Sequence, residues 1–374
     1  MNNTIKARLI LLLLVAVAGC THIGQEKMIM SETLIPCNES ELSPIRQGMI
    51  TSVDYLILQA PEEHVVGIID KVVVSGDRLF VGDYSSGKVF SFNREGAFLG
   101  VIDKKGRGPG EYLSIQSFCV DAHHVYILDQ FQKCVLTYER ESLLFDKRMD
   151  VPFFAWDFAS LTSGGFIFAY APMEGNSVTE PALRYRIFIT DQNLKIKEKY
   201  FEYGEKETDA VSIRHYLSGN EGKIVYGSFE EDGFCVFDGQ DGTPTDRFRF
   251  AFANGVSKED KSQIAKLFDG YHTFLNRVPY MAGDYLLLSL TTGSTGNYFL
   301  YDSAKEELSA NALTSDGKVF VGIVGSSENS FIGWLQSKTI YDHMVRNMGF
   351  QRADPDDEAA IYADEAFLVF YRMN

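Results

Sequence analysis

Short apolar segments that end in an aromatic residue and a polar turn recur along most of the chain. Six of them align well, starting at residues 89, 135, 187, 235, 298 and 368, and a segment of similar character precedes each one. These starts lie 46 to 70 residues apart, close to the roughly 40–50 residues of a four-stranded propeller blade. The pattern therefore predicts an all-β, six-bladed β-propeller with four-stranded antiparallel blades. A β-sandwich, the alternative, accounts less well for six similar units.

The two ends of the chain are predicted to close this ring together. The sixth unit begins near Lys318 and offers only three strands before Asn374, whereas the apolar segment 53–58 precedes the first blade and can supply the fourth strand. Such a closure leaves no open sheet edges, which would promote aggregation. Segments 257–269 and 337–348 have apolar residues at helical spacing, so they predict two short helical insertions that pack on the ring.

The first twenty residues indicate export and lipidation. Lys6 and Arg8 precede an apolar run at 9–18, too short to span a bilayer as a helix, and the run ends in the lipobox-like sequence Val-Ala-Gly-Cys20. This layout predicts a lipoprotein signal peptide at 1–19, lipidation of Cys20, a polar tether at 20–50 and a propeller domain at 51–374. An ordinary signal peptide with an incidental cysteine is the alternative. Thr21 in place of Asp favours the outer over the inner membrane, with the protein exposed to the periplasm or the cell surface.

Charge and motif content exclude several classes of function. The chain has 35 Lys and Arg against 51 Asp and Glu, a net charge of -16, whereas nucleic-acid binding needs a basic face. Its five cysteines lack CxxC spacing, and we find no GxSxG, HExxH or Walker A motif. We therefore assign no catalytic residue, no metal ligand and no cofactor. We interpret the acidic cluster 354–358 as a solvated loop, with weak Ca²⁺ binding as the alternative.

One motif resembles a known family. The sequence Gly-Arg-Gly-Pro-Gly-Glu-Tyr at 106–112 follows a strand, an Asp, a second strand and Gly-Ala-Phe-Leu at 96–99. This order is similar to that of the six-bladed β-propeller lipoproteins of Bacteroidota, which are related in shape to NHL and TolB-like propellers. The resemblance is sharp over residues 65–140, and it implies a fold and an envelope location rather than a reaction. The glycines suit a tight crossing between blades; alternatively, Arg107 is a cation at the pore mouth.

Loop lengths predict the binding face. With strands A to D running from the pore outward, the B–C and D–A connections lie on one face and the A–B and C–D turns on the other, because neighbouring strands are antiparallel. The B–C connections of the later blades are long, so we call these the long-loop face and the short-turn face. Length variation on one face is typical of a binding surface. The ligand-binding candidates on it are Asp83, Tyr84, Arg107, Glu111, Asp129, Phe131 and Tyr170.

Two functions are compatible with these residues. The first is a lipid-anchored binding or scaffold module for a glycan, a peptide or a partner protein on the long-loop face, with membrane contact through the lipid alone. The second is a propeller hydrolase or lyase of the lactonase type with a divalent cation in the pore, which needs several oxygen-bearing side chains to converge. Only Asp83 and Asp129 are available for that role, and both could instead cap the B–C turns.

Overall fold

The computed structural model describes residues 30–172, 180–205, 207–209, 213–220, 222–228, 232–257, 260–263, 271–293 and 295–374. Six antiparallel sheets surround a central channel, so the predicted six-bladed propeller with four-stranded blades is confirmed. The innermost strand of each blade contacts the innermost strands of its neighbours, which defines the channel wall.

The strands of each blade follow one another outward from the channel in chain order. Blades one and two consist of β3 (Lys71–Ser75), β4 (Arg78–Asp83), β5 (Lys88–Asn93), β6 (Phe98–Ile102), and β7 (Ser117–Val120), β8 (His124–Asp129), β9 (Cys134–Glu139), β10 (Phe145–Asp150). Blades three and four consist of β11 (Asp157–Ser160), β12 (Phe166–Ala169), β13 (Tyr185–Thr190), β14 (Ile196–Glu202), and β15 (Leu217–Asn220), β16 (Lys223–Ser228), β17 (Gly233–Asp238), β18 (Pro244–Phe252). Blade five consists of β19 (Thr273–Ala282), β20 (Tyr285–Thr292), β21 (Thr295–Asp302) and β22 (Glu307–Ala310).

Blade six contains strands from both ends of the chain, as predicted. Its order from the channel outward is β23 (Ile323–Ser327), β24 (Ser330–Trp334), β25 (Ala366–Met373) and β2 (Ile50–Leu58). The register pairs Val53 with Tyr371 and Leu58 with Ala366. Because β25 lies between β24 and β2, the last residues of the chain are part of the core.

Aromatic side chains fill the space between neighbouring sheets. Between blades two and three, the Tyr126 and Phe166 rings meet edge-on with centroids 5.0 Å apart, and Phe201 of blade three stacks on Tyr226 of blade four at 5.4 Å. Faces of twisted sheets diverge away from the channel, so bulky flat residues are needed to keep them in contact. This requirement accounts for the 28 Phe and 19 Tyr of the sequence.

Part of the predicted tether is folded, which corrects the boundary at residue 50. Residues Ser31–Cys37 form β1, a fifth strand that pairs in parallel with β18 at the outer edge of blade four, with Ser31 opposite Asp246 and Cys37 opposite Phe252. Only Ile35 and Cys37 of this strand are buried. Two inward-facing residues next to Pro36 give too weak an alternation for a strand prediction. The predicted signal peptide at 1–19 and Cys20 lie outside the described residues.

Both described α-helices lie in the B–C connection of blade six. Helix α1 (Lys338–Met348) confirms the prediction for 337–348: Ser337 accepts a hydrogen bond from the Ile340 amide, and Gly349 ends the helix at φ +72°. The helix predicted over 257–269 lies largely outside the described residues. The acidic cluster, predicted to be a loop, instead begins helix α2 (Pro355–Tyr362), because Asp354 caps the amides of residues 356 and 357. In the described part of the chain, no helix is long and apolar enough to cross a membrane.

Candidate functional site

The central channel is divided into two cavities. One, of about 580 Å³, reaches from Lys71 and His215 to Gly76, Asp121 and Thr162 in and beside the A–B turns, so we call it the short-turn cavity. The other, of about 550 Å³, is bordered by D–A and B–C residues that include Asp70, Arg214 and Gln336, and we call it the long-loop cavity. His215 and Tyr280 line both cavities, which places them at the partition.

A buried polar network joins the inner strands at the level of this partition. Lys71, Ser117 and Asp157 are the first residues of β3, β7 and β11. The Ser117 hydroxyl donates to Asp157 Oδ1 at 2.5 Å, and Lys71 Nζ lies 3.4 Å from Ser117 Oγ and 3.8 Å from the same carboxylate oxygen. Burying a carboxylate is tolerated only when it is paired and hydrogen-bonded, and here both conditions hold.

The second oxygen of Asp157 extends the network to blade four. It accepts hydrogen bonds of 2.9 Å from the backbone amides of Tyr216 and Leu217, at the start of β15. A single carboxylate therefore fixes the D–A connection that carries Arg214 and His215. These two hydrogen bonds hold the side chains of Arg214 and His215 at the channel.

Both ring nitrogens of His215 are buried. Its side chain is only 9% exposed, its Nδ1 lies 3.9 Å from Asp157 Oδ2, and its ring contacts Tyr84 edge-on at 5.7 Å. Burial lowers the pKa of His215 to about 4; the Asp157 carboxylate and the Asp70 backbone oppose this, while Lys71 and Arg214 reinforce it. The imidazole is therefore neutral at neutral pH, with one ring nitrogen as a donor and the other as an acceptor.

Arg214 marks the long-loop mouth of the channel. Its guanidinium lies over the Tyr84 ring at 5.1 Å and donates to Asp70 Oδ1 at 2.9 Å, while its side chain remains 60% exposed. Asp70 Oδ2 accepts from the Tyr84 amide at 2.8 Å. Burial raises the pKa of Asp70, and the Tyr84 amide and Arg214 oppose the rise. The mouth thus presents a cation that is held in place by a ring and a carboxylate but is open to solvent.

Two of the predicted site residues hold turns. Asp83 is buried and accepts hydrogen bonds from the Ser86 amide in the B–C turn and from the Gly67 and Ile68 amides in the preceding connection. Asp129 does the same in blade two: it accepts from the amides of Gln132 and Leu113, the latter at 2.6 Å. In both cases the carboxylate ties the B–C turn to the connection that enters the blade, so its oxygens face backbone amides.

The glycine-rich motif forms a compact crossing between blades one and two. Glu111 Oε2 accepts from the Gly108 amide at 2.7 Å, and a Cβ on Gly106 would lie 2.0 Å from that same oxygen. Gly110 has φ +71° and leaves room for the Phe145 ring, which a Cβ would meet at 2.5 Å. Glu111 therefore closes its own loop. Arg107 is exposed at the tip of this loop on the long-loop face.

The remaining predicted residues have different environments. Phe131 is 76% exposed in the B–C turn of blade two, on the long-loop face. Tyr170 is 2% exposed and packs in the core of blade three beside Tyr203, so it is not part of a surface. Of the seven predicted residues, only Tyr84 contacts the groups at the channel partition and mouth, His215 and Arg214.

The residues at the channel partition and in the buried network that supports it were missed by the sequence reasoning. Arg214, His215, Lys71, Ser117 and Asp157 are far apart in the chain and form no spacing motif. A usable signal did exist, because the last three occupy the same position in successive blades, the first residue of the inner strand. Across the described residues, no group of three or more His, Cys, Asp or Glu side chains is arranged to hold a metal ion.

A family model matches most of the chain, and a solved structure shares this fold. The family described as a domain of unknown function, DUF4934, matches residues 38–362. A Bacteroides fragilis protein provisionally named as exported is 15% identical, with a TM-score of 0.73, over 92% of this chain and 100% of that chain. A member of the DUF4221 family from Bacteroides vulgatus is 8% identical, with a TM-score of 0.47, over 86% of this chain and 96% of that chain. No protein of curated function matches the sequence.

Proposed function

The chain belongs to the DUF4934 family, and from that premise and its fold we propose that it is a lipid-anchored binding module of the bacterial cell envelope. Export is supported by the signal-peptide pattern and by the naming of the Bacteroides fragilis protein. Lipidation at Cys20, placement on the outer rather than the inner membrane, and a relationship to NHL or TolB-like propellers remain predictions from the sequence.

The observation that carries the proposal is the mouth of the long-loop cavity. Arg214 offers an exposed, pre-positioned cation there, above a cavity of about 550 Å³ that a small ligand or a chain end can enter. Arg107 and Phe131 are exposed on the same face and can extend the contact outward. A carboxylate-bearing glycan or peptide, alone or as part of a partner protein, has the chemistry that this face recognises.

Binding is favoured over lactonase-type catalysis because the candidate carboxylates have other partners. Asp83 and Asp129 face backbone amides, and Asp157 is held by Ser117 and by two amides of blade four. A pore cation in such an enzyme needs oxygens that converge on one point. These three carboxylates instead accept from backbone amides and, for Asp157, also from the Ser117 hydroxyl.

The test compares two exposed arginines of the long-loop face with one of the short-turn face. Envelope extract is passed over immobilised protein, bound molecules are identified by mass spectrometry, and the affinity of the identified ligand is measured for Arg214→Ala and Arg107→Ala. Arg94→Ala is the matched control, because Arg94 is an exposed arginine that contacts the Gly76 carbonyl on the short-turn face.

We expect Arg214→Ala to weaken binding about 10-fold or more, which corresponds to the loss of a charge-assisted hydrogen bond. Arg107→Ala should have a smaller effect and Arg94→Ala none. Equal weakening by Arg94→Ala and Arg214→Ala, or by Arg94→Ala alone, would show that the wrong face has been assigned.

A further inference from the structure

The inner strand of blade five is longer than the inner strands of the other blades, and its pairing is irregular. β19 has 10 residues, whereas β3, β7, β11, β15 and β23 have 4 or 5. Its pairing with β20 shifts register on both sides of Arg277, first after Leu275 and again before Tyr280. Such bulges bend a strand and redirect its side chains, and they are frequent beside functional sites. Here they lie where β19 lines the long-loop cavity.

Arg277 adds a second exposed cation to this cavity. In the described part of the chain, no carboxylate pairs with it. Arg214, in contrast, donates to Asp70 Oδ1 at 2.9 Å, and the other oxygen of Asp70 accepts from the Tyr84 amide at 2.8 Å. Asp70, Arg214 and Arg277 are the charged side chains among the described residues that line the cavity. With His215 neutral, the cavity therefore carries one uncompensated positive charge.

Most of the remaining lining is apolar or aromatic. Ile213 and Val278 line the cavity, as do Trp334 and Tyr280, which are both partly exposed, and Gln336 is exposed at the mouth. Its volume of about 550 Å³ lies within the range of about 300–1,000 Å³ that is usual for small-molecule pockets. Such pockets combine apolar walls with a few polar groups that fix the orientation of the ligand. The cavity therefore suits a ligand with an apolar ring face and a single negative charge.

We infer, on the basis of the binding function proposed above, that Arg277 and Arg214 hold the carboxylate of a small organic acid whose one or two rings occupy the long-loop cavity. Guanidinium groups bind carboxylates through charge-assisted, often bidentate hydrogen bonds, and one carboxylate balances the single excess charge. The ring contacts the aromatic side chains of the lining, with Trp334 among them. A sugar acid and an aromatic acid share this chemistry, and the experiment distinguishes them.

Saturation-transfer NMR and calorimetry on the mature wild-type protein compare each acid with its neutral counterpart. The probes are glucuronate and galacturonate against glucose and galactose, and phenylacetate against phenylacetamide. We expect at least one acid to bind saturably with a Kd of about 1 mM or lower, and its counterpart to bind at least about 10-fold more weakly. The acid that binds shows whether the ring is a sugar or an aromatic ring. Binding of none of the acids, or equal binding of acid and counterpart, overturns the inference.

Three substitutions of cations test the role of Arg277. Arg277→Ala should weaken binding of the acid at least about 10-fold, and Arg277→Lys, which keeps the charge without the planar fork, should retain part of the affinity. Lys223→Ala is the matched control, because Lys223 is an exposed cation that lines the short-turn cavity. It should leave the Kd unchanged. Unchanged binding by Arg277→Ala, or weakening by Lys223→Ala alone, would refute the assignment.

Blocking each mouth of the channel gives a second test that leaves both arginines in place. Gln336→Trp puts a bulky ring at the exposed mouth of the long-loop cavity and should weaken binding of the acid. Thr162→Trp puts the same ring at the exposed mouth of the short-turn cavity and should have no effect. Melting curves establish that each variant is folded. The reverse result would place the acid in the other cavity and overturn the inference.

Failure of this inference is distinguishable from failure of the proposed function, because different ligands report on the two. The molecule captured from envelope extract reports on the proposed function through its affinity for Arg214→Ala. If that affinity falls but none of the acids binds, the proposed function stands and the inference is wrong. If that affinity is unchanged, the proposed function itself is wrong.

Discussion

Removal of the last eight residues should unfold the whole ring. Deleting 367–374 takes away most of β25, which lies between β24 and β2. The side chains lost from the core are Phe367, Leu368, Val369, Tyr371 and Met373, all at most 4% exposed. Losing a buried side chain of this size costs about 2–5 kcal/mol. The summed cost of losing all five is at least about 10 kcal/mol. This cost is comparable with the entire free energy of unfolding of a typical domain, about 5–15 kcal/mol.

Urea denaturation followed by circular dichroism measures this effect, with size-exclusion chromatography as a check on aggregation. The truncated protein should lack a cooperative transition or form soluble aggregates, since β2 and β24 would both become open edges. Deleting Asn374 alone is the matched control, because this residue is exposed, and its transition should stay close to that of the wild type.

A single substitution in β25 tests the contribution of this strand to stability without removing any backbone. The Tyr371 hydroxyl accepts a hydrogen bond from the part-buried Val321 amide at 3.2 Å, so Tyr371→Phe removes this bond at a cost of about 1 kcal/mol. The urea midpoint should fall while the slope is unchanged. A truncated protein with a wild-type transition would refute the reasoning that blade six closes the ring.

The other predictions concern the anchor, the buried ion pair and the effect of pH. Cys20→Ser should move the protein from the membrane fraction to the soluble fraction with an unchanged circular dichroism spectrum; a variant that stays in salt-washed membranes contradicts lipidation. Arg186→Met should lower the free energy of unfolding by about 3–5 kcal/mol, because the buried Asp209, 2.7 Å from Arg186, would lose this cation. Adding Asp209→Leu should restore much of the loss, and no recovery in the double variant contradicts the reasoning. Burial lowers the pKa of His215 to about 4, below its value of about 6.5 in the unfolded chain. The free energy of unfolding is therefore highest above pH 6.5 and falls by about 3 kcal/mol as the pH drops towards 4, because the unfolded state binds the proton more readily. Urea titrations across that range should show this fall in the free energy of unfolding in the wild type but not in His215→Phe. Equal slopes of the free energy of unfolding against pH in both proteins would exclude His215 as the cause.

The fold could be predicted because its strongest signal is local. The third strand of each blade is an apolar run with aromatics, so residues such as Phe90 and Phe92 identify it directly. The closing strand could be predicted as well, since a sixth unit with three strands needs a fourth. Strand β1 could not, because a single added edge strand buries only Ile35 and Cys37 and leaves no periodic pattern.

The residues of the site could not be predicted from the sequence to the same extent as the fold. His215 acquires its character from Asp157 and Lys71, which precede it by 58 and 144 positions and reach it only through the ring. In contrast, the capping roles of Asp83 and Asp129 were considered at the sequence level, because an Asp at the end of a strand and the start of a turn acts on neighbouring amides. Contacts between residues close in the chain could thus be inferred from the sequence. Contacts between side chains of different blades became evident only in the structure.

The direction of β1 has a consequence for how the protein would stand on a membrane. Ser31 pairs with Asp246 near the start of β18, at the short-turn end of blade four, so the chain that leads to Cys20 leaves the ring from that end of its rim. From position 20 to position 31 the chain spans at most about 40 Å. With Cys20 as the anchor, the short-turn face is turned towards the bilayer. The long-loop face, which carries Arg214, Arg107 and Phe131, is then turned towards the aqueous side. Large ligands would then approach from the aqueous side, and only small, diffusible ones would reach the lower opening.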